Sequence, residues 1–378
     1  MSLVIDVHAL QTVPPSLINR DDTGAPKSAI FGDVPRQRVS SQSWKRAIRR
    51  YFKESGAAEE IGARSLRNPE KIAKTLQERA GWDEVTAIER VQALFKAAGI
   101  TTEIAKAKKP KKGEEAPAEV SPYPRTKYLL FLSPQQIDKA VELLIEAGGD
   151  KIEKADARGV LNAENSVDVA MFGRMVADDA FFNVDAAVQV AHALSIHAAS
   201  PEFDYFTAVD DLAEDQETGA GMIGTVQMMS STLYRYAAVN VEGLEENLGS
   251  AEAAREAAVN FIEAFAKSLP TGKLNTFANQ TLPELIYVAV RDTRPVSLVN
   301  AFEEPIETDA ENGRRQAGAA ALAREEQEIE RTYGFRPRAA FVAALGSLGE
   351  PFQEIAQNVT LAQLLDQTRD ALSAAQGE

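Results

Sequence analysis

The stretch QSWKRAIRRYFK, residues 42–53, leaves the chain little choice of local fold. At 100° per residue, Ala47, Ile48, Tyr51 and Phe52 fall within about 80° of Trp44, and Lys45, Arg46, Arg49, Arg50 and Lys53 fill the opposite arc. A helix keeps these two sets on separate faces. Ser40 and Ser41 stand just before it, and either can cap its first turn. The wider segment 34–53 adds Arg36 and Arg38 and contains no acid, so it carries +7 in a chain whose net charge is −15. The rest of the protein therefore sums to −22, a charge separation typical of proteins that hold nucleic acid.

A basic helix face is often only a solvated surface. Here only Arg50, with Glu54 four residues on, has an acidic i,i+4 neighbour, fewer than an ion-paired face carries. Cations four apart on a helix are about 6 Å apart, close to the phosphate spacing of an extended strand. Sequence-tolerant binding also needs groups for bases to stack on. The candidates are Met175, Tyr205, Phe206 and Met222.

Other chemistries have little support. Cysteine is absent, which excludes disulfides, Cys-ligated zinc, iron–sulfur clusters and thiol catalysis. The three histidines are His8, His192 and His197, the last two on a predicted helix spanning 184–197 and about 140° apart on it. No HExxH, GxSxG or P-loop pattern occurs. Asp21–Asp22 and Asp210–Asp211 are tight acid pairs able in principle to hold Mg²⁺, although Asp also favours turns for local reasons. No cofactor or metal is expected. No apolar run approaches the ~18 residues of a membrane span. The opening MSLVIDVHAL lacks the pattern of a signal peptide. The expectation is a soluble cytoplasmic protein.

The order of elements reads as α+β with an antiparallel sheet and helical insertions. Residues 3–10 are a predicted strand and 11–33 an irregular connection. Residues 56–100 hold two or three helices, and 104–124 form a charged, proline-rich insertion. Tyr128 to Leu132 is a short strand, 134–147 a helix, and 166–176 an apolar run. Residues 202–234 carry seven acids and no Lys or Arg, with a glycine-containing loop between two β-prone runs, and predict a long hairpin. Helices are expected at 249–267, 309–333 and 359–375, and a strand at 285–291.

Seven segments, in order along the chain, resemble the CasC family, the backbone subunit of the type I-E CRISPR Cascade complex. They are SLINRDD (16–22), AIFG (29–32), RVSSQSWKRAIRR (38–50), VDVAMFGRM (167–175), DYFTAVDDL (204–212), TLYRYAAVN (232–240) and RPVSLVNAFEEP (294–305). The likeness is weakest over 56–160 and 306–378. It implies an RRM-like (ferredoxin-like) palm from 1–55, 161–201 and 235–378, a helical fingers insertion at 56–160, and a β-hairpin thumb at 202–234. It also implies a non-catalytic subunit that polymerises along a CRISPR RNA, kinks it periodically and presents it to the target DNA strand. Its partners would be further copies of itself and the large, small, repeat-processing endonuclease and guide 5′-end-capping subunits.

By matching motif, Arg20, Ser40, Gln42, Lys45, Arg46 and Arg49 are expected on guide phosphates and sugars, contacts that position RNA without reading its sequence. Met175, Tyr205 and Phe206 resemble the apolar wedges at the kinked nucleotide. Residues 134–157 are not especially basic, so Lys106, Lys108, Lys109, Lys111 and Lys112 are the expected DNA-contacting arm. The alternative is a metal-dependent target-RNA nuclease of the type III backbone kind, using Asp21 or Asp22.

Overall fold

Val4–Ser16 (β1) is the strand on which the larger part of the fold is built. Its first eight residues are all buried, as expected of a strand covered on both faces. The computed structural model describes residues 3–55, 61–104, 121–176, 179–208, 222–307 and 313–376. By packing, the chain forms two units: Met1–Tyr51, Val188–Glu242 and Ala254–Glu378 make the first, and Phe52–Ala187 with Gly243–Ala253 the second.

The first unit contains a ten-stranded, mainly antiparallel sheet. Besides β1 it comprises β2 (Ser28–Phe31), β3 (Val34–Val39), β4 (Val188–Val190), β5 (Ala193–Ser195), β6 (Glu202–Ala208), β7 (Met222–Asn240), β8 (Leu285–Arg291), β9 (Ala339–Ala344) and β10 (Gln357–Asn358). The spatial order is β10-β9-β8-β1-β7-β5-β3-β2, with β4 and β6 also paired to β7. Only β9 and β10 run parallel.

Most buried polar groups on β1 are partnered, as burial demands, with His8 Nε2 an exception. Asp6 accepts from Arg291 Nε at 2.8 Å, and Arg291 also donates to both Glu326 oxygens at 2.6 and 2.8 Å. This buried triad ties the helix Arg314–Tyr333 to the sheet. His8 lies between Tyr236 and Tyr287, its ring 5.0 and 5.5 Å from theirs, and its Nδ1 shares a 2.9 Å hydrogen bond with the Tyr234 hydroxyl.

The second unit packs the helices Asn68–Ala80, Glu84–Ala98, Pro134–Ala147 and Lys154–Asn162 around a core that includes Leu76, Phe95 and Leu144. Two short ladders accompany them, Ala63–Ser65 with Leu130–Leu132 and Thr102–Ile104 with Pro124–Thr126. Helix starts follow their sequence signals: Asp83 accepts from Thr86 N at 3.0 Å, and Ser133 with Gln136 forms a capping box.

The α+β class holds, and several finer expectations are corrected. Residues 184–197 are not a helix; they hold β4 and β5, whose alternation of buried and outward residues follows a period of two. His192 and His197 therefore do not share a helix. The 11–33 connection begins as strand, because β1 runs through Pro14 and Pro15 to Ser16 with a register shift between Val13 and Ser16. Prolines are tolerated at such an irregularity because they need not donate to a ladder there. The helix expected from 249 starts at Ala251, and Val241–Leu248 forms a further helix beyond those expected. In the 309–333 segment the described helix starts at Arg314.

Candidate nucleic-acid interface

The basic helix is observed at Ser41–Glu54. Ser40 caps it, its Oγ accepting from Ser43 N at 3.3 Å, while Ser40 N donates to Asn19 Oδ1 at 2.9 Å. That second bond ties the 17–27 loop to the start of the helix. Beside it, His192 Nδ1 accepts from Ser41 N at 3.3 Å and Arg38 at 3.4 Å. Burial, with the neighbouring Arg38 and Lys27, lowers the His192 pKa.

Trp44 is buried on the inner face, with the Arg235 guanidinium 3.7 Å from the centre of its ring. Arg235 is itself buried, donating to Gln11 Oε1 at 2.6 Å and the Phe265 carbonyl at 2.5 Å. Burial pulls its pKa down to about 9. The base of the helix is thus held by a cation that takes no part in its outer charge.

Four residues apart, the outer cations form two rows, Lys45 with Arg49 and Arg46 with Arg50. Lys45 and Arg49 are half-buried, Arg46 and Arg50 exposed. Burial, then the charge of Arg49, lowers the Lys45 pKa. The second row lines a cleft of about 410 Å³. Arg20 and Lys273 also line it, and among the described residues no carboxylate does. Leu17, Ile18, Ala47, Leu269 and Pro270 supply apolar surface. Arg50 donates to Thr271 Oγ1 at 3.1 Å, which ties the helix to the 269–273 loop. That loop approaches the chain so closely that a Cβ at Gly272 would stand 2.6 Å from the Leu17 carbonyl oxygen. The described lining of the cleft is therefore cationic with an apolar wall, a chemistry suited to a sugar–phosphate backbone.

Of the residues expected on the guide, Arg20 and Arg46 meet at this cleft. Gln42 is exposed on the first turn of the helix, Lys45 and Arg49 form the neighbouring row, and Ser40 is buried as the cap. Lys273 is a cleft-lining cation that sequence reasoning misses; its one signal is a lone cation in the turn-prone run PTGK. Arg36 belongs to the +7 segment but not to the surface. It is fully buried and donates to the carbonyls of Phe31, Ser195, Phe302 and Glu303 at 2.9–3.1 Å.

In the second unit, Met175 is 82% exposed. The adjacent Arg174 is buried, donating to the Phe182 and Phe131 carbonyls at 2.7 and 3.1 Å and to Asn162 Oδ1. Tyr205 and Phe206 lie on β6, whose seven residues are all exposed. Being neighbours on a strand, they point to opposite faces. Met222 opens β7. The lysine arm 106–112 and Asp210–Asp211 lie outside the described residues. The spacing Gly219–Gly221–Gly224 matches a dinucleotide fingerprint, but that motif must open a helix and this one runs into β7.

Asp21 is engaged locally. Its Oδ1 accepts from Thr23 N, Thr23 Oγ1 and Ala25 N at 2.9, 2.7 and 3.0 Å, and the Thr23 bond above all lowers its pKa. Among the described residues no three His, Asp or Glu side chains gather as a potential metal site, and no helix is long and apolar enough to cross a membrane.

The cleft has the cationic lining that an anionic ligand needs, and comparison with known proteins gives the family. The chain belongs to the CT1975-like protein family, which it matches over residues 5–367. It is similar to a chain of a solved "CRISPR RNA-guided surveillance complex, pre-nicking", with 34% identity and a TM-score of 0.82 over 98% of this chain and all of that one. A chain of another "CRISPR RNA-guided surveillance complex" matches with 27% identity and a TM-score of 0.62 over 97% of this chain and 99% of that one. No curated protein matches it.

Proposed function

We propose that this protein is the guide-RNA-binding backbone subunit of a CRISPR surveillance complex of the Cascade kind, of type I-E and close to CasC. The observation that carries this reading is the cationic cleft of Arg20, Arg46, Arg50 and Lys273, on a chain that matches a subunit of an RNA-guided complex from end to end. In this reading the sheet-bearing unit is an RRM-like palm, the helical unit the fingers and the β6–β7 ribbon the thumb. Copies polymerise along the guide in the cytoplasm, kink it periodically and present it to target DNA. The remaining Cascade subunits named by the resemblance complete the particle. Lys45, Arg49, Gln42 and the Ser40 turn hold the guide backbone beside the cleft, and Lys106–Lys112 reach toward DNA. In this reading the subunit is not a nuclease, which the engagement of Asp21 in its own turn supports.

The test is co-expression with a CRISPR transcript and the partner subunits, followed by size exclusion. A large particle carrying RNA of uniform length is expected. An RNA-free monomer under the same conditions would overturn the reading. In the particle, Arg46→Ala with Arg50→Ala should reduce the log–log salt dependence of guide binding by about 1.4, roughly 0.7 for each single-strand phosphate that is no longer neutralised. Mg²⁺-dependent cutting of complementary RNA that disappears in Asp22→Ala would favour the nuclease instead.

A further inference from the structure

The outer part of the β6–β7 ribbon has two unlike faces. Phe203 pairs with Gln227, Tyr205 with Thr225, Phe206 with Gly224 and Thr207 with Ile223. Directly opposed residues share a face and successive ones alternate. Phe203, Tyr205 and Ile223 therefore stand on one side, 69%, 62% and 60% exposed. Phe206 stands on the other, opposite a glycine, and is 38% exposed.

Phe206 lies across that glycine. A Cβ built on Gly224 would be 2.8 and 3.0 Å from the two Cε atoms of the ring, and closer still to Cζ. No residue with a side chain fits there while the ring keeps its place. A glycine inside a strand weakens it and often marks a close approach. In return the ring is laid flat on the ribbon, with one face against backbone and the other outward. A stacking platform needs an aromatic face held in one orientation before the base arrives.

We propose that Gly224 is a positioning residue, which by lacking a side chain lays Phe206 flat as the stacking surface for one guide nucleobase per subunit. This rests on the guide-binding reading above. Tyr205 does not share the task, because it faces the other way, and with Phe203 and Ile223 it forms a separate apolar face. The neighbouring acids Glu202 and Asp204 lie on the Phe206 side, so phosphates are kept off that face while an uncharged base is accepted.

A merely structural role, an aromatic ring covering an exposed glycine, makes different predictions. The particle is assembled on synthetic guides in which 2-aminopurine is moved one position at a time across the length bound by one subunit. One position should differ at least threefold in fluorescence from its neighbours. Phe206→Tyr should keep that contrast and Phe206→Leu should erase it, although leucine covers a glycine well. Gly224→Ala should reduce the contrast by half or more with assembly unchanged, because the new methyl meets only the far end of the Phe206 side chain, which can swing aside. Tyr205→Leu should leave it intact. Contrast surviving in Phe206→Leu or Gly224→Ala, or abolished in Tyr205→Leu, overturns the proposal, as does a wild-type guide with no distinct position. Should Gly224→Ala fail to assemble, adding Phe206→Leu should restore assembly, because the ring that the new methyl meets is gone; no recovery overturns the positioning role. Failure of wild-type protein to form any RNA particle is a different result and counts against the guide-binding reading itself.

Discussion

One strand, β7, lives two lives. From Met229 to Val239 it is nearly all buried, pairing with β1 on one side and with β4 and β5 on the other. From Ile223 to Met228 it pairs with β6 and none of its residues is buried. The backbone geometry is continuous, yet the inner half gets its register and stability from side chains packed on two faces. The outer half has only cross-strand pairs and ladder hydrogen bonds, and an isolated two-stranded ribbon of that kind is marginal by itself. The inner half anchors, and the outer half projects groups outward at little cost to the core.

Arg235 is the place to break this comparison most strongly. Its loss removes a large side chain between Trp44 and Phe265, and strips partners from Gln11 Oε1 and the Phe265 carbonyl. Arg235→Ala should destabilise the first unit by about 3 kcal/mol, the combined scale of a cavity and buried acceptors left unpaired. Trp44 and Trp82 are the two tryptophans, so Trp44 fluorescence in a Trp82→Phe background follows this unit during urea unfolding. Arg235→Met should recover the packing part. Equal loss in both variants would assign the effect to hydrogen bonding alone.

His8 sharpens the comparison by pH, since it packs against Tyr236 in the inner half. Burial, and then the charge of Arg291, holds its pKa well below the ordinary histidine value. Below about pH 6.5 the unfolded chain takes up a proton that folded His8 refuses, so stability is full above that pH and is lost as pH falls. One such group contributes a slope of about 1.4 kcal/mol per pH unit. His197, also lowered by burial, acts in the same direction. His8→Gln should therefore flatten the decline measured by urea midpoints between pH 7 and 5 without abolishing it. An unchanged slope would mean that His8 charges freely in the folded state.

How much of this was legible depended on which faces were buried. The helix Ser41–Glu54 stood out because one complete face packs and the other is solvated, so sequence period and burial agree. The hairpin was legible from its turn and composition. The division of Tyr205 from Phe206 follows from strand alternation, but only once β6 is known to be strand. Arg36 and Arg235 were not legible as core cations, because the carbonyls and rings that neutralise them come from far along the chain. The helical reading of 184–197 fails for the same reason: β4 and β5 are three residues each, too short for a period of two to outweigh a helical one, and only pairing with β7 and β3 fixes them. Lys273 reaches the cleft by tertiary folding, which no local pattern announces.

The smallest effect is expected at the ribbon's apolar face, and it tests the outer half directly. Phe203 and Ile223 are large apolar residues whose removal from a core would cost several kcal/mol. Here both are mostly exposed, so little area is withdrawn from water on folding. Phe203→Ala with Ile223→Thr should change the unfolding free energy of the first unit, measured in urea, by no more than about 0.5 kcal/mol, the usual range for surface substitutions. Threonine keeps the β-branching that suits a strand, so the ribbon's own conformation is little disturbed. A loss of about 2 kcal/mol or more, on the scale of core truncations, would mean that this face packs against the protein in solution. The projecting half of β7 would then have to be counted with the anchoring half.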